Sequence, residues 1–325
     1  MEKKRVAVVM GGYSGEYEIS LGSGSVVCDH LNKEKYEVFP ITISKKGWYY
    51  TPEPNIEIPV NKSDFSFTSE GKKIIPDVVF NTIHGTPGED GYMQAYFALI
   101  NLPQTGADFY PSALSFNKRD CLSVLKNFGI HCANSYYLNK DIDFDTERVV
   151  KTVGLPCFVK PNRAGSSLGI SKVKTIEELL PAIEKAFETD DEILIETALV
   201  GTEVQVGVYT HQGKEIALPT TEIVSHNEFF DYNAKYKGES EEITPARISE
   251  KDTLRVQEEA VKIHRLLNMK GITRTDFIIQ NGVPYFLEMN TTPGLSVESI
   301  IPKQAREAGL SLEELFDILV QEALK

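Results

Sequence analysis

Cysteine is scarce in this chain. There are four in 325 residues, Cys28, Cys121, Cys132 and Cys157, and none sit at Cys-x-x-Cys spacing. That excludes a disulfide framework and the usual thiolate zinc sites. Basic charge is short as well: 34 Lys and Arg face 47 Asp and Glu, for a net charge of −13. Nucleic acid is a poor match for such a surface, although a local basic pocket could still hold a phosphate ligand. No apolar run is long enough to span a membrane, and the N-terminal run over 6–10 stops at Gly11-Gly12, too short for a signal-peptide core. The cysteines therefore read as reduced thiols of a cytoplasmic protein. Internal repeats and low-complexity tracts are missing too. What is present is ordinary globular composition, 41% hydrophobic and 25% charged, in a chain long enough for two or three domains.

The order of elements predicts the fold class. Residues 5–10 form a buried-type strand, 11–15 a glycine-rich turn and 20–31 a helix. Strands follow over 38–43 and 77–81, separated by a Pro- and charge-rich insertion over 51–75, and a helix covers 92–100. Alternating strands and helices predict an α/β domain with a doubly wound parallel sheet. Ligands of such sheets gather at strand C-termini. Both Gly11-Gly12-Tyr13-Ser14-Gly15-Glu16 and His84-Gly85-Thr86-Pro87-Gly88-Glu89-Asp90-Gly91 lie there. The texture changes near Gly106. The pattern then predicts a helix over 117–128, strands over 156–161 and 170–173, a helix over 175–188, strands over 193–196 and 201–206, a polar loop over 225–242 and two final helices. Three units result: 1–106, 107–194 and 195–325.

The most informative segment is 273–294. Two apolar runs flank Asn281-Gly282, the strongest short hairpin signal. Pairing Asp276 with Glu288 also pairs Arg274 with Asn290, and period-two alternation then puts all four on one face. Two carboxylates and an amide oxygen make a hard-oxygen nest suited to Mg²⁺, with an arginine at its edge for developing negative charge. The plain alternative is a surface hairpin with solvated acids, but both strands are too apolar for that. A strict two-residue turn would set Asp276 opposite Leu287 and send the carboxylates to opposite faces. The shared face therefore requires a three-residue loop, with Gln280 opposite Pro284, or one bulge within the strands. Pro284, lacking an N–H, favours an irregular start to the second strand.

Other stretches carry weaker signals. Asn162-Arg163-Ala164-Gly165-Ser166-Ser167-Leu168-Gly169 is a Gly/Ser loop that follows Lys160. Its backbone N–H groups could cradle phosphates with the lysine as a point charge; otherwise it is a β-hairpin turn. It lacks the Gly-Lys-Ser/Thr ending of a Walker A loop. The Gly11–Glu16 turn lacks dinucleotide-fingerprint spacing, and Glu16 is either a first-turn acid or the partner of a substrate ammonium. His84 is either structural or a site residue at a strand C-terminus. It has no second histidine at metal-ligand spacing, which disfavours zinc.

Taken in order, the stretches 11–20, 84–91, 160–169, 231–236, 274–276 and 287–294 resemble D-alanine–D-alanine ligases of the ATP-grasp superfamily, over essentially the whole chain. The resemblance implies an ATP-grasp fold with an N-terminal Rossmann-like domain. It also implies a bacterial, cytoplasmic and homodimeric enzyme of peptidoglycan precursor synthesis. In that reaction ATP phosphorylates one D-alanine carboxylate, and the amine of a second D-alanine attacks the acyl phosphate.

The implied roles follow residue by residue. Lys118 and Lys160 match the lysines on the ATP phosphates, and Lys235 would reach the transferring phosphoryl. Glu196 and Glu203 match the adenine- and ribose-contacting acids, with Leu199 in the hinge beside the adenine. Asp276, Glu288 and Asn290 match the ligands of two Mg²⁺ ions, for which Mn²⁺ could substitute. Glu16 would lie near the first D-alanine's ammonium and His84 near its carboxylate. Ser166 and Tyr236 would close a loop with Glu16. Arg274 and the Gly294 N–H match oxyanion stabilisers, and Ser299 with Ile300 matches the site of the second carboxylate. Two positions depart from the pattern: Thr197 replaces a frequent lysine in the hinge, and Ala164 replaces a frequent acid in the Gly/Ser loop. Competing functions are a depsipeptide ligase making D-alanyl-D-lactate, against which Tyr236 argues, and a sensor without turnover, against which Arg274, Asp276, Glu288 and Asn290 argue.

Overall fold

The computed structural model describes residues 3–165, 168–225 and 240–325. Its first sheet is built on β1 (Lys4–Gly11), which pairs in parallel with β2 (Tyr36–Ser44) and with β7 (Val78–Asn81). Antiparallel strands β3 (Gly47–Tyr50) and β4 (Ile58–Pro59) extend the edge beyond β2, and a small hairpin, β5 (Phe67–Ser69) and β6 (Lys72–Ile74), fills the insertion. The switch to antiparallel pairing follows from the tight turn between Ser44 and Gly47, because a parallel return needs a crossover of about a dozen residues. Residues 6–9 of β1 are completely buried because both faces of the sheet are covered, which accounts for the unbroken apolar run. On one face lie α1 (Tyr17–His30) and the chain's last helix. The other face carries α2 (Tyr92–Leu99) together with Phe65 and Phe67.

Past α3 (Phe109–Phe116), which the periodicity did not announce, comes α4 (Lys118–Asn127), capped by the Asn117 side chain. The second sheet is antiparallel, in the order β10 (Ser171–Val173), β9 (Cys157–Pro161), β11 (Glu192–Thr197), β8 (Ser135–Asn139). Helices α5 (Thr146–Val153) and α6 (Leu179–Phe187) close its core. The third sheet runs β15 (Ser240–Ile243), β14 (Thr221–Ser225), β12 (Thr202–His211), β16 (Ile272–Gln280), β17 (Val283–Asn290), with β13 (Lys214–Ala217) paired to β12. Its core takes Leu122 and Leu125 from α4, and Val256, Ala260 and Ile263 from α7 (Glu250–Leu266).

Two expectations change here. Both ends of the polar loop expected over 225–242 are strand: Ser225 ends β14 and residues 240–242 belong to β15, paired Ser225↔Ser240 through Glu222↔Ile243. The two final helices are present as α8 (Ile300–Glu307) and α9 (Leu312–Ala323), and α7, which precedes the β16–β17 hairpin, is an element beyond those expected. α7 was legible in its Ser249 cap, which accepts from the Asp252 N–H, and in its buried positions 256, 260, 263 and 264. Helix α9 returns to the first sheet, where Leu315, Phe316 and Leu319 pack with Val6, Val8 and Phe80. The first unit is thus closed by the end of the chain. All four cysteines are free thiols.

Candidate active site

The β16–β17 hairpin sets the site. Its turn is the tight one: Gln280 faces Val283, and Asn281 (φ 53°) and Gly282 (φ 72°) take the left-handed conformations of a type I′ turn. Pro284 pairs regularly with Ile279, so neither the three-residue loop nor the irregular start occurs. The irregularity is the bulge. Phe277 faces Phe286, but Asp276 faces Glu288 and Arg274 faces Asn290, so Leu287 is the extra residue. One added residue restores the shared face.

That face is electrostatically dense. The Arg274 guanidinium donates to both Asp276 oxygens at 2.8 Å, and Gln205 Nε2 donates to Asp276 Oδ2 at 3.2 Å. Burial alone would lower the Arg274 pKa, but the Asp276 and Glu288 carboxylates outweigh it and raise it. Lys118 Nζ lies 3.7 Å from Glu288 and donates to the Ala164 carbonyl at 2.8 Å. Asn290 Oδ1 accepts from the Thr292 N–H at 3.0 Å. Two carboxylates and one amide oxygen fit Mg²⁺, which keeps several waters and takes substrate phosphates as further ligands. Among the described residues no group of three His, Cys, Asp or Glu is placed to hold a metal ion by itself.

Two cavities meet at Glu288, which lines both. The first, of about 520 Å³, lies between the second and third sheets and is walled by Lys160, Glu196, Leu199, Glu203 and Leu287. Lys160 is ion-paired to Glu196; burial would lower its pKa, and the Glu196 charge raises it on balance. The hinge segment from Thr197 to Gly201, between β11 and β12, forms one edge, with Val200 N bound to Gln280 Oε1 at 2.9 Å. Thr197 turns its hydroxyl to the Val153 carbonyl at 2.6 Å. The side chain at this departure is therefore engaged with the protein rather than directed at a ligand.

The second cavity, of about 470 Å³, opens where the first sheet meets the hairpin. Glu16, His84, Lys118, Arg274, Asn290, Gly294, Ser299 and Ile300 all reach it. His84 is buried, with Nε2 3.3 Å from Ser23 Oγ, and burial lowers its pKa against the opposing pull of Glu16. A Cβ on Gly165 would stand 2.9 Å from Glu16 Oε2, the movable end of that side chain, so the Gly/Ser loop passes close to this carboxylate. Ser299 stands at the N-cap position of α8 without a side-chain cap bond, and its Oγ instead lies 2.6 Å from Ser296 Oγ. The expected Ser166, Lys235 and Tyr236 lie outside the described residues.

Glu89 carried no role in the sequence reading. Its carboxyl accepts from Gly85 N at 2.5 Å and Thr292 N at 3.3 Å, joining the His84 turn to the segment after β17. Burial and the nearby Glu16 charge push it up to about 8, against the backbone N–H bonds and Arg274. An acid inside a glycine-flanked turn at a strand C-terminus was the available signal.

Family comparison agrees with this geometry. Residues 5–107 match the D-ala D-ala ligase N-terminus family and residues 124–321 the D-ala D-ala ligase C-terminus family. The chain belongs to the D-alanine–D-alanine ligase family. It is 58% identical over 321 residues to the D-alanine–D-alanine ligase of Flavobacterium johnsoniae, covering 99% of each chain. In structure it is similar to the VanG D-Ala:D-Ser ligase of Enterococcus faecalis (TM-score 0.88, 34% identity, 99% of this chain and 100% of that one). It is likewise similar to the Bacillus anthracis D-alanine–D-alanine ligase complexed with ATP (TM-score 0.79, 28% identity, 99% and 97%). The fold is therefore the ATP-grasp fold of these ligases, and the doubly wound first domain is part of it.

Proposed function

We infer that this chain joins two D-alanine molecules into D-alanyl-D-alanine at the expense of ATP, for peptidoglycan precursor synthesis. One observation carries the reading: Glu288 is the common wall of two adjoining cavities, one between the second and third sheets that suits the nucleotide and one beside the first sheet with room for both amino acids. A γ-phosphoryl from one side and a carboxylate from the other would meet over the Asp276–Glu288 face.

In the first step a carboxylate oxygen of D-alanine attacks the γ-phosphorus and ADP leaves. In the second, the amino nitrogen of another D-alanine attacks the acyl carbon. The nitrogen loses a proton, and phosphate departs with the electrons of the broken C–O bond. Such chemistry needs positioning and charge balance more than covalent help. Lys118 and Lys160 balance the phosphates, while Glu196, Leu199 and Glu203 hold adenine and ribose. Glu16 takes the first ammonium, with His84 near its carboxylate. The second carboxylate sits at Ser299 and Ile300, where the N–H groups opening α8 suit an anion. Arg274 and the Gly294 N–H face the oxyanion. Asp276, Glu288 and Asn290 would hold Mg²⁺, as two ions, with Mn²⁺ as a substitute, and metal bound there would neutralise phosphate charge. Ser166, Lys235 and Tyr236, outside the described residues, would by the family resemblance help keep water from the acyl phosphate.

The division into units 1–106, 107–194 and 195–325 is part of the same proposal. So is a cytoplasmic location, in keeping with the finding that no described helix is long and apolar enough to cross a membrane. A homodimer would cover the exposed Tyr92, Leu99 and Tyr110 of α2 and α3. Phosphate release and product analysis test the reaction, first with D-alanine alone, then with D-serine or D-lactate added. D-alanyl-D-alanine is the expected product. Failure to release phosphate from ATP with D-alanine would overturn the reading, and preference for D-serine would move the chain towards the acceptor named for VanG.

A further inference from the structure

Asn162 opens the Gly/Ser loop, one residue after β9 ends, and is 1% exposed. Its side chain is fully partnered. Oδ1 accepts from the Arg119 N–H at 2.8 Å, and Nδ2 donates to Asn117 Oδ1 and to Glu192 Oε2, each at 2.9 Å. Its backbone adds two more bonds, N–H to the Glu192 carbonyl at 3.0 Å and C=O from the Lys118 N–H at 3.3 Å. The amide orientation is fixed by its neighbours. Asn117 Oδ1 must be an acceptor because it also takes the Asp120 N–H, and Glu192 can only accept.

These partners belong to different cores. β9 and β11 pack in the second core, whereas α4 buries Leu122 and Leu125 in the third. Lys160 projects from β9, and Lys118 is the first residue of α4. The seam between the two cores therefore sets the spacing of the two lysines, and Asn162 bridges that seam. We propose that Asn162 is a positioning residue for nucleotide binding, which pins the start of α4 to the end of β9 so that Lys118 and Lys160 converge on the ATP phosphates. This rests on the reading of Lys118 as a phosphate ligand.

The donor–acceptor pattern supplies a test. Asn162→Asp keeps the acceptor for Arg119 N but sets a carboxylate against Asn117 Oδ1 and the Glu192 carboxylate. Glu192→Gln restores a donor opposite the second oxygen of that introduced carboxylate and, made alone, leaves Asn162 an acceptor. It also removes a 3.2 Å contact with Arg119, a partly exposed pair of small weight. Asn162→Asp should raise the ATP KM and the dissociation constant of a fluorescent ATP analogue about tenfold or more, with the D-alanine KM within about twofold of wild type. Adding Glu192→Gln should bring the nucleotide values back to within about threefold. A merely structural role would lower the melting temperature without this split or this rescue. If Asn162→Asp does not fold, Asn162→Ala is read in the same way. Lys118→Ala serves as the control. If it leaves the ATP KM unchanged, the phosphate role of Lys118 fails and this inference falls with it. If it raises the ATP KM while Asn162→Asp and Asn162→Ala do not, the inference alone is overturned.

Discussion

Replacing Arg274 separates two consequences that the structure links. The side chain is 14% exposed and its Asp276 partner 5%, and both hydrogen bonds between them are 2.8 Å. Arg274→Ala removes a donor from the oxyanion and also strips a buried carboxylate of its fork. The first loss is worth on the order of 3 kcal/mol of transition-state stabilisation, or roughly 150-fold in kcat. The second is worth about 3–5 kcal/mol of folding stability if Asp276 stays charged, because a buried charge is left without its partner. A low kcat in Arg274→Ala is therefore ambiguous without a melting curve. Arg274→Lys resolves it by keeping the charge beside Asp276 while giving up the planar fork.

The expected result for Arg274→Lys is a melting temperature near wild type and a kcat lowered by one to two orders of magnitude at saturating ATP and D-alanine, roughly 1.5–3 kcal/mol. Coupled ADP release measures kcat, and differential scanning fluorimetry measures stability in the same buffer. If the ATP KM rose while kcat held, Arg274 would be a binding residue, and the assignment to developing charge would be refuted.

Three further outcomes are expected. Glu288→Gln should fold normally, since Glu288 is 35% exposed and its Lys118 contact is a loose 3.7 Å, yet lose activity roughly a hundredfold or more at ordinary Mg²⁺; normal turnover across a Mg²⁺ titration would remove it from the metal site. Burial holds His264 down at about 4, so between its unfolded value of about 6.5 and that folded value the unfolded chain takes a proton that the folded chain refuses, and stability falls with pH by about 2 kcal/mol at pH 5; His264→Gln should flatten the melting curve between pH 7 and 5, and parallel curves would contradict the assignment. Glu89 has the opposite sign. Its folded carboxyl keeps a proton up to about 8 that the unfolded chain loses near 4.5, so wild type should lose stability relative to Glu89→Gln as pH rises through that window, and a constant difference in melting temperature would show the carboxyl to be ionised throughout.

The parts of the site readable in sequence were those fixed by local chemistry. Asn281-Gly282 announced its own turn, and the alternation of Arg274, Asp276, Glu288 and Asn290 announced their face. What stayed hidden was set by tertiary partners. Helix α9 looks like any amphipathic C-terminal helix, and nothing local says that Phe316 belongs against Phe80 in the first sheet. Glu89 reads as a solvated acid until Thr292, two hundred residues on, is found donating to it. Asn162 reads as a loop residue until Glu192 and Asn117 converge on its amide.

The bulge at Leu287 shows why one local rule could be right about the turn and still leave the site intact. Asn-Gly dictates a two-residue turn, and that turn alone would pair Asp276 with Leu287 and separate the carboxylates. Bulging one residue between Phe286 and Glu288 keeps the favoured turn and the shared face together. It also frees Leu287 from the ladder's alternation, and the side chain takes a place in the wall of the nucleotide cavity. Register and nucleotide contact are therefore two effects of one backbone feature, and side-chain substitution separates them. Leu287→Ala leaves the backbone bulge in place and deletes about three carbons of apolar wall, worth on the order of 1–2 kcal/mol of binding. The ATP KM should then rise roughly tenfold while kcat and the D-alanine KM hold, because the Asp276–Glu288 face is undisturbed. A fall in kcat comparable to that of Glu288→Gln would mean that the Leu287 side chain itself holds the register, and the separation drawn here would be wrong.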